Sequence, residues 1–111
     1  MVPAMLKKTQ KHYLKIQHQH PGFIEAVEEL GTTLKLSGPL DEKTVQLLQL
    51  AAATALRSEG AVHSHVTRSL QAGASKEEVH HALIVLTSTI GFPSVMAGLS
   101  WADDIIEKKD G

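Results

Sequence analysis

DEKTVQLLQLAAATALRSEGAVHSHVTRSLQAGASKEE, residues 41–78, carries the clearest start and stop signals in the chain. Asp41 is a good N-cap, and Glu42 behind it suits the positive end of a helix dipole. Leu47, Leu48, Leu50, Ala51, Ala52, Ala53, Ala55 and Leu56 then cover most of the circumference, which predicts a buried helix whose alanines let its neighbours approach closely. Arg57-Ser58-Glu59-Gly60 reads as a short break or as the start of the next helix. There Val62, Val66 and Leu70 make a narrow apolar stripe, and Gly73 fits the left-handed residue that closes a helix. Ser75-Lys76-Glu77-Glu78 is a capping-box sequence that starts another.

Outward from this stretch the spacing stays helical, with no alternating strand pattern. A first helix is expected over about Ala4–Gln17, with Met5, Tyr13 and Ile16 on one side and Lys7, Lys8, Lys11 and Lys15 as a solvated basic strip. His18-Gln19-His20-Pro21 breaks it, and Pro21 opens a second helix. Phe23, Ile24, Val27, Leu30 and Leu34 form its apolar face, opposite Glu25, Glu28 and Glu29. On the other side, a fifth helix is expected through Val79, Leu83, Leu86 and Ile90. Gly91-Phe92-Pro93 launches a sixth, with Val95, Leu99, Ala102 and Ile106 inward and Asp103 and Lys108 in water. The expectation is all-α: a compact bundle of about six helices in a single domain over residues 1–111.

Composition removes several function classes. At 111 residues the chain can bury about two-thirds of its unfolded surface. A net charge of -1 argues against a nucleic-acid surface or a basic membrane-surface helix. Val45 to Leu56 is too short to span a bilayer, and the N-terminus lacks the apolar core of a secretory signal. A cytoplasmic address is therefore expected, with no nucleic-acid and no membrane partner. The chain has no cysteine, which closes disulfide, thiolate and cysteine-metal chemistry.

The candidate chemistry sits on the fourth helix. Each residue advances by about 100°, so Ser58, Ala61, His65 and Ser69 line up beside the Val62/Val66/Leu70 stripe. His65 falls at the boundary between buried and exposed, where an imidazole can be tuned for proton transfer or can simply bond across a helix seam. His63 lies on the stripe's other side, four residues after Glu59, and is expected as a surface pair with it. His63 and His65 point in widely different directions and make a poor chelate, and His80 and His81, about 100° apart, could join a zinc site with the fourth helix only by an accident of tertiary packing, so no metal is expected. Gln46 stands out on its apolar helix. A buried amide left without partners costs about 1–3 kcal/mol, so it faces either a polar hollow or a neighbouring backbone. Ser58 with His65 has no third residue to orient the ring and no oxyanion-hole loop, which argues against a serine hydrolase.

Taken together, LDEKTVQLLQLAAATALRSEGAVHSHVTRSLQAGASKEEVHHALIVLTSTIGFPSVMAGL (residues 40–99) resembles the carboxymuconolactone decarboxylase family, which includes the alkylhydroperoxidase D-like proteins. The marks are L-D-x-K-T at Leu40–Thr44, the alanine-rich helix, His65, A-G-A at Ala72–Ala74, S-K-E-E at Ser75–Glu78, G-F-P at Gly91–Pro93 and H-P-G-F at His20–Phe23. Their order and spacing over roughly residues 20–106 carry the likeness. The resemblance implies an all-α fold assembled as a homotrimer or hexamer, with sites near subunit contacts. In the peroxidase branch the positions matching Ser58 and Ala61 are cysteines and that matching Gln46 is glutamate, so only His65 is kept and thiol peroxidase activity is disfavoured. The decarboxylase branch lacks those cysteines, keeps the histidine and has an acidic residue shortly before it, where Glu59 stands here. It needs no cofactor. The resemblance thus implies decarboxylation with proton transfer on a small carboxylated, lactone-like substrate. His65 and Glu59 are the expected catalytic residues, and Gln46, Ser58 and Ala61 are expected to line the substrate site. The alternative is a non-catalytic oligomeric binding or structural member of the family.

Overall fold

The Asp41 carboxylate accepts a hydrogen bond from the Thr44 amide at 2.8 Å and so starts the helix that the other core elements pack against. A computed structural model describes residues 4–110, with side chains from Lys11 to Lys108; Met5, Lys7 and Lys8 therefore lie outside the described side chains. The elements are α1 (Ala4–Gln19), α2 (Pro21–Lys35), α3 (Glu42–Ala55), α4 (Glu59–Gln71), α5 (Lys76–Ile84), α6 (Thr87–Ile90) and α7 (Phe92–Asp110). Among the described residues there is no strand, and the all-α expectation holds: six helices longer than two turns, plus the single turn α6.

Two reversals of the same design hold α3, α4 and α5 together. At the end of α4 the amides of Gly73 and Ala74 donate back to the carbonyls of Leu70 and Ser69, with Gly73 at φ +98°, which is the Schellman closure its glycine implied. The end of α3 closes the same way, through Arg57 to Thr54 and Ser58 to Ala53, but here the left-handed residue is Arg57 at φ +55°. A non-glycine residue is strained there by roughly 1–2 kcal/mol, and no glycine marked the turn in advance. The Arg57 guanidinium then donates to the Ser94 hydroxyl at 3.2 Å, tying this turn to the start of α7. The capping box at Ser75 and Glu78 forms in both directions. Lys43 on α3 donates to the Glu78 carboxylate at 2.9 Å.

The core is one cluster of Leu50, Ala53, Val62, Val66, Ala74, Val79, Leu83, Ala102, Ile105 and Ile106, drawn from α3, α4, α5, α7 and the turn before α5. Packed between α3 and α7, α4 lies at the centre. Where α3 and α7 cross, Gly98 is buried against the fully buried Thr54, and no side chain would fit between them.

Three expectations are corrected. The α3 surface is not buried all round: Gln46, Leu50, Ala53 and Thr54 form the inner side, while Leu48, Ala52 and Ala55 face out. The apolar face of α2 is not core. Only Ile24 is buried, and Phe23, Val27, Leu30 and Leu34 are each about half or more exposed, because α2 packs mainly on α1. The expected fifth helix through Ile90 is interrupted after Ile84, where the Thr87 hydroxyl donates to the Ile84 carbonyl at 2.7 Å and offers the backbone an alternative to the helical ladder.

Candidate functional site

Five residues beyond the Asp41 cap, Gln46 is carried to the inner side of α3, where only 5% of its surface is exposed. The facing residue is His65, in the middle of α4 and half-buried. The ring Nδ1 and the amide Oε1 are 3.0 Å apart. A buried amide oxygen is an acceptor, so Nδ1–H donates and the lone pair of the neutral ring is left on Nε2. This contact answers the question that the lone amide on α3 poses: Gln46 is satisfied by a side chain on the neighbouring helix.

Burial, and secondarily the Arg68 guanidinium one turn along α4, hold the His65 pKa below the usual imidazole value. The ring is therefore neutral at pH 7, with its tautomer set by an uncharged partner. Such a ring can take a proton on Nε2 and, once charged, returns it readily, since the imidazolium is a stronger acid than in water.

Ser58 is the exposed N-cap of α4, and its hydroxyl makes no capping bond. Ala61 is half-buried and packs against the core. Steps of three and four residues put Ser58, Ala61 and His65 on one side of α4. Glu59 lies about 120° round the helix from His65. Its carboxylate sits with His63 and Asp104 instead, all three ligand atoms lying within 4.8 Å of one another.

His63 corrects a further expectation. It is not a surface residue: 1% of it is exposed, and its Nε2 lies 3.0 Å from the Asp104 carboxylate on α7. His80 on α5 pairs with Asp103 at 2.6 Å, so that carboxylate is not simply in water, whereas His81 is exposed. The polar residues that sequence reasoning missed are thus Asp103 and Asp104. Both sit on α7, and no local spacing ties them to histidines 23 and 41 residues earlier.

The model of the carboxymuconolactone decarboxylase family matches residues 21–104. The chain belongs to that family. Among solved structures, a carboxymuconolactone decarboxylase family protein from Legionella pneumophila in its apo form is similar at a TM-score of 0.80 and 24% identity, covering 91% of this chain and 90% of that one. A family protein from Thermotoga maritima is similar in two structures. One has a TM-score of 0.75 at 23% identity, covering 96% of this chain and 91% of that one. The other has a TM-score of 0.72 at 26% identity, covering 95% and 96%. No curated protein matches the chain. Among the described residues no helix is long and apolar enough to cross a membrane.

Proposed function

We propose that this family member carries out cofactor-free decarboxylation with proton transfer on a small carboxylated, lactone-like substrate, with His65 as the acid/base group. The observation that carries this reading is the 3.0 Å contact between His65 Nδ1 and Gln46 Oε1. It fixes the ring and directs the basic Nε2 away from its partner, on a histidine that burial keeps neutral. In such a reaction the bond to the carboxylate carbon breaks, carbon dioxide leaves, and the electron pair passes into the conjugated system. A proton must then be delivered at another carbon, and His65 takes it from solvent on Nε2 and hands it over. Gln46 orients the ring, Ser58 and Ala61 line the same side of α4, and Arg68 supplies positive charge near the ring for a carboxylate. Glu59 stands at the acidic position of the decarboxylase branch, but its carboxylate lies with His63 and Asp104 rather than with His65, so it takes no step in this reading. The Thermotoga relative has a suggested link to the antioxidative response. In this chain, which has no cysteine, that link cannot run through a thiol.

The assembly and address belong to the same reading: a cytoplasmic homo-oligomer, trimer or hexamer, acting on a small molecule rather than on nucleic acid or membrane. The exposed apolar stripe of α2 supports self-association.

The test is a turnover screen on small carboxylated lactones and keto acids with wild type and His65→Ala. General acid–base catalysis contributes about 10²–10⁴-fold, so the variant is expected to lose at least about 100-fold in kcat while keeping its fold. Turnover that persists in His65→Ala removes the ring from the mechanism. Absence of turnover in the wild type across the screen favours the non-catalytic reading.

A further inference from the structure

We infer that Glu59, His63 and Asp104 form a binding site for one divalent transition-metal ion of the zinc, cobalt or manganese class, at the seam between α4 and α7. The inference departs from the expectation of no metal, which was formed from the histidines without Asp104, and it does not depend on the His65 reading. Glu59 and His63 are four residues apart and so stack on one side of α4. Asp104 comes from α7, the helix packed against that side.

The geometry is close to that of a bound ion. Nitrogen and carboxylate ligands sit about 2.0–2.2 Å from such an ion, so neighbouring donors lie about 3.0–3.5 Å apart. His63 Nε2 and Asp104 Oδ2 already stand at 3.0 Å. All three donor atoms lie within 4.8 Å of one another. Closing the remaining gap needs a movement of about 1–2 Å, and it falls to Glu59, an exposed side chain with rotamers to spare. The anchoring donor is the buried one: His63 is 1% exposed.

Donor chemistry selects the class of ion. One imidazole and two carboxylates, without sulfur, suit first-row divalent ions. Magnesium and calcium prefer sites made wholly of oxygen. Two carboxylates also match the ion's double charge, so a dication brings the cluster to neutrality. Three protein donors leave coordination positions to water, which makes this an open site rather than a closed structural one.

The experiment uses the full, untagged chain, freed of metal with chelator and titrated with Co²⁺ and Zn²⁺ by calorimetry, with Co²⁺ absorption as the ligand-field readout. One saturable Co²⁺ per chain with visible d–d bands is expected, together with a rise in Tm when Zn²⁺ is added. Loss of supporting groups alone weakens metal sites about 10–100-fold, so Glu59→Gln and Asp104→Asn are each expected to weaken binding by at least about 100-fold. Glu59 is exposed, so Glu59→Gln is read on a folded chain, with circular dichroism as the check. His80→Asn, which alters the neighbouring histidine–aspartate pair, should leave the affinity unchanged. No saturable binding overturns the proposal. So does binding that is indifferent to both Glu59→Gln and Asp104→Asn, or that is lost in His80→Asn instead.

Discussion

His65 and Gln46 meet across the seam between α4 and α3, ring nitrogen to amide oxygen at 3.0 Å, and the partner is neutral where the peroxidase branch of the family has a carboxylate. An uncharged acceptor fixes the tautomer and favours the imidazolium less than an anion would, while burial and Arg68 hold the ring's pKa down.

Replacing that acceptor by a carboxylate should reverse the shift. In Gln46→Glu an anion would accept from Nδ1–H and favour the charged ring. The His65 pKa is therefore expected to rise by about 1–3 units, followed by NMR titration of the imidazole. Gln46→Leu should instead leave a buried ring nitrogen without a partner and lower stability by about 1–3 kcal/mol. A His65 titration that is the same in all three proteins would mean that the pair does not form in solution.

The lowered pKa also links His65 to stability. The unfolded chain binds a proton on this ring at a higher pH than the folded one, so acid favours unfolding. The contribution from the neutral ring is complete above the ordinary value of 6.5 and is lost as pH falls from there through the lowered folded value. Asp41 and Glu78 are shifted down from 3.8 and 4.5 by the bonds they accept at helix N-termini, so their contributions fade at lower pH. Chemical denaturation between pH 7 and pH 5 should show wild-type stability falling with acid, and His65→Gln should flatten that slope. Equal slopes would place the ring in an environment no drier than water.

At the crossing of α3 and α7, a Cβ on Gly98 would stand 2.6 Å from Thr54 Cγ2 and 3.2 Å from its Oγ1. Both residues are buried, and overpacking of this kind costs about 1–3 kcal/mol. Gly98→Ala is expected to lower stability by that amount in urea denaturation. Thr54→Ala in the same chain should recover part of it, since the nearest remaining atom, Cβ, is 3.5 Å away. A double-mutant cycle without coupling would refute this close approach.

What could be read in advance was whatever the chain settles within a few residues. Asp41, the Ser75–Glu78 box and Gly73 act through bonds to their own neighbours, and each does what its residue type implied. Gln46 was legible as an oddity, an amide on an apolar helix, but its partner depended on how α3 and α4 register. His63 was misread because its partner, Asp104, lies 41 residues away and periodicity reports a face without saying what covers it. The same limit applies to α2, whose apolar stripe is plain in the spacing yet is left uncovered by the chain's own fold. The Arg57 turn escaped because the left-handed geometry is held there by two backbone bonds and a tie to Ser94, with no glycine to mark it.

That uncovered stripe leads to the last prediction. Phe23 (61% exposed), Val27 (49%), Leu30 (56%) and Leu34 (57%) recur at steps of four, three and four residues, so they form a continuous ridge along α2. Full burial of such a side chain from water is worth about 1.5–3 kcal/mol, so covering the exposed half contributes about 0.7–1.5 kcal/mol. Four together, repeated on each copy, would support a stable self-association. Light scattering of the wild type at micromolar concentration is therefore expected to give an oligomer, trimer or hexamer. Leu30→Glu and Val27→Glu should shift it to monomer. Because both positions already face water within the chain, these variants should keep wild-type helix content by circular dichroism. A wild type that is monomeric under the same conditions, or an oligomer untouched by either glutamate, would put the contact between copies somewhere other than α2.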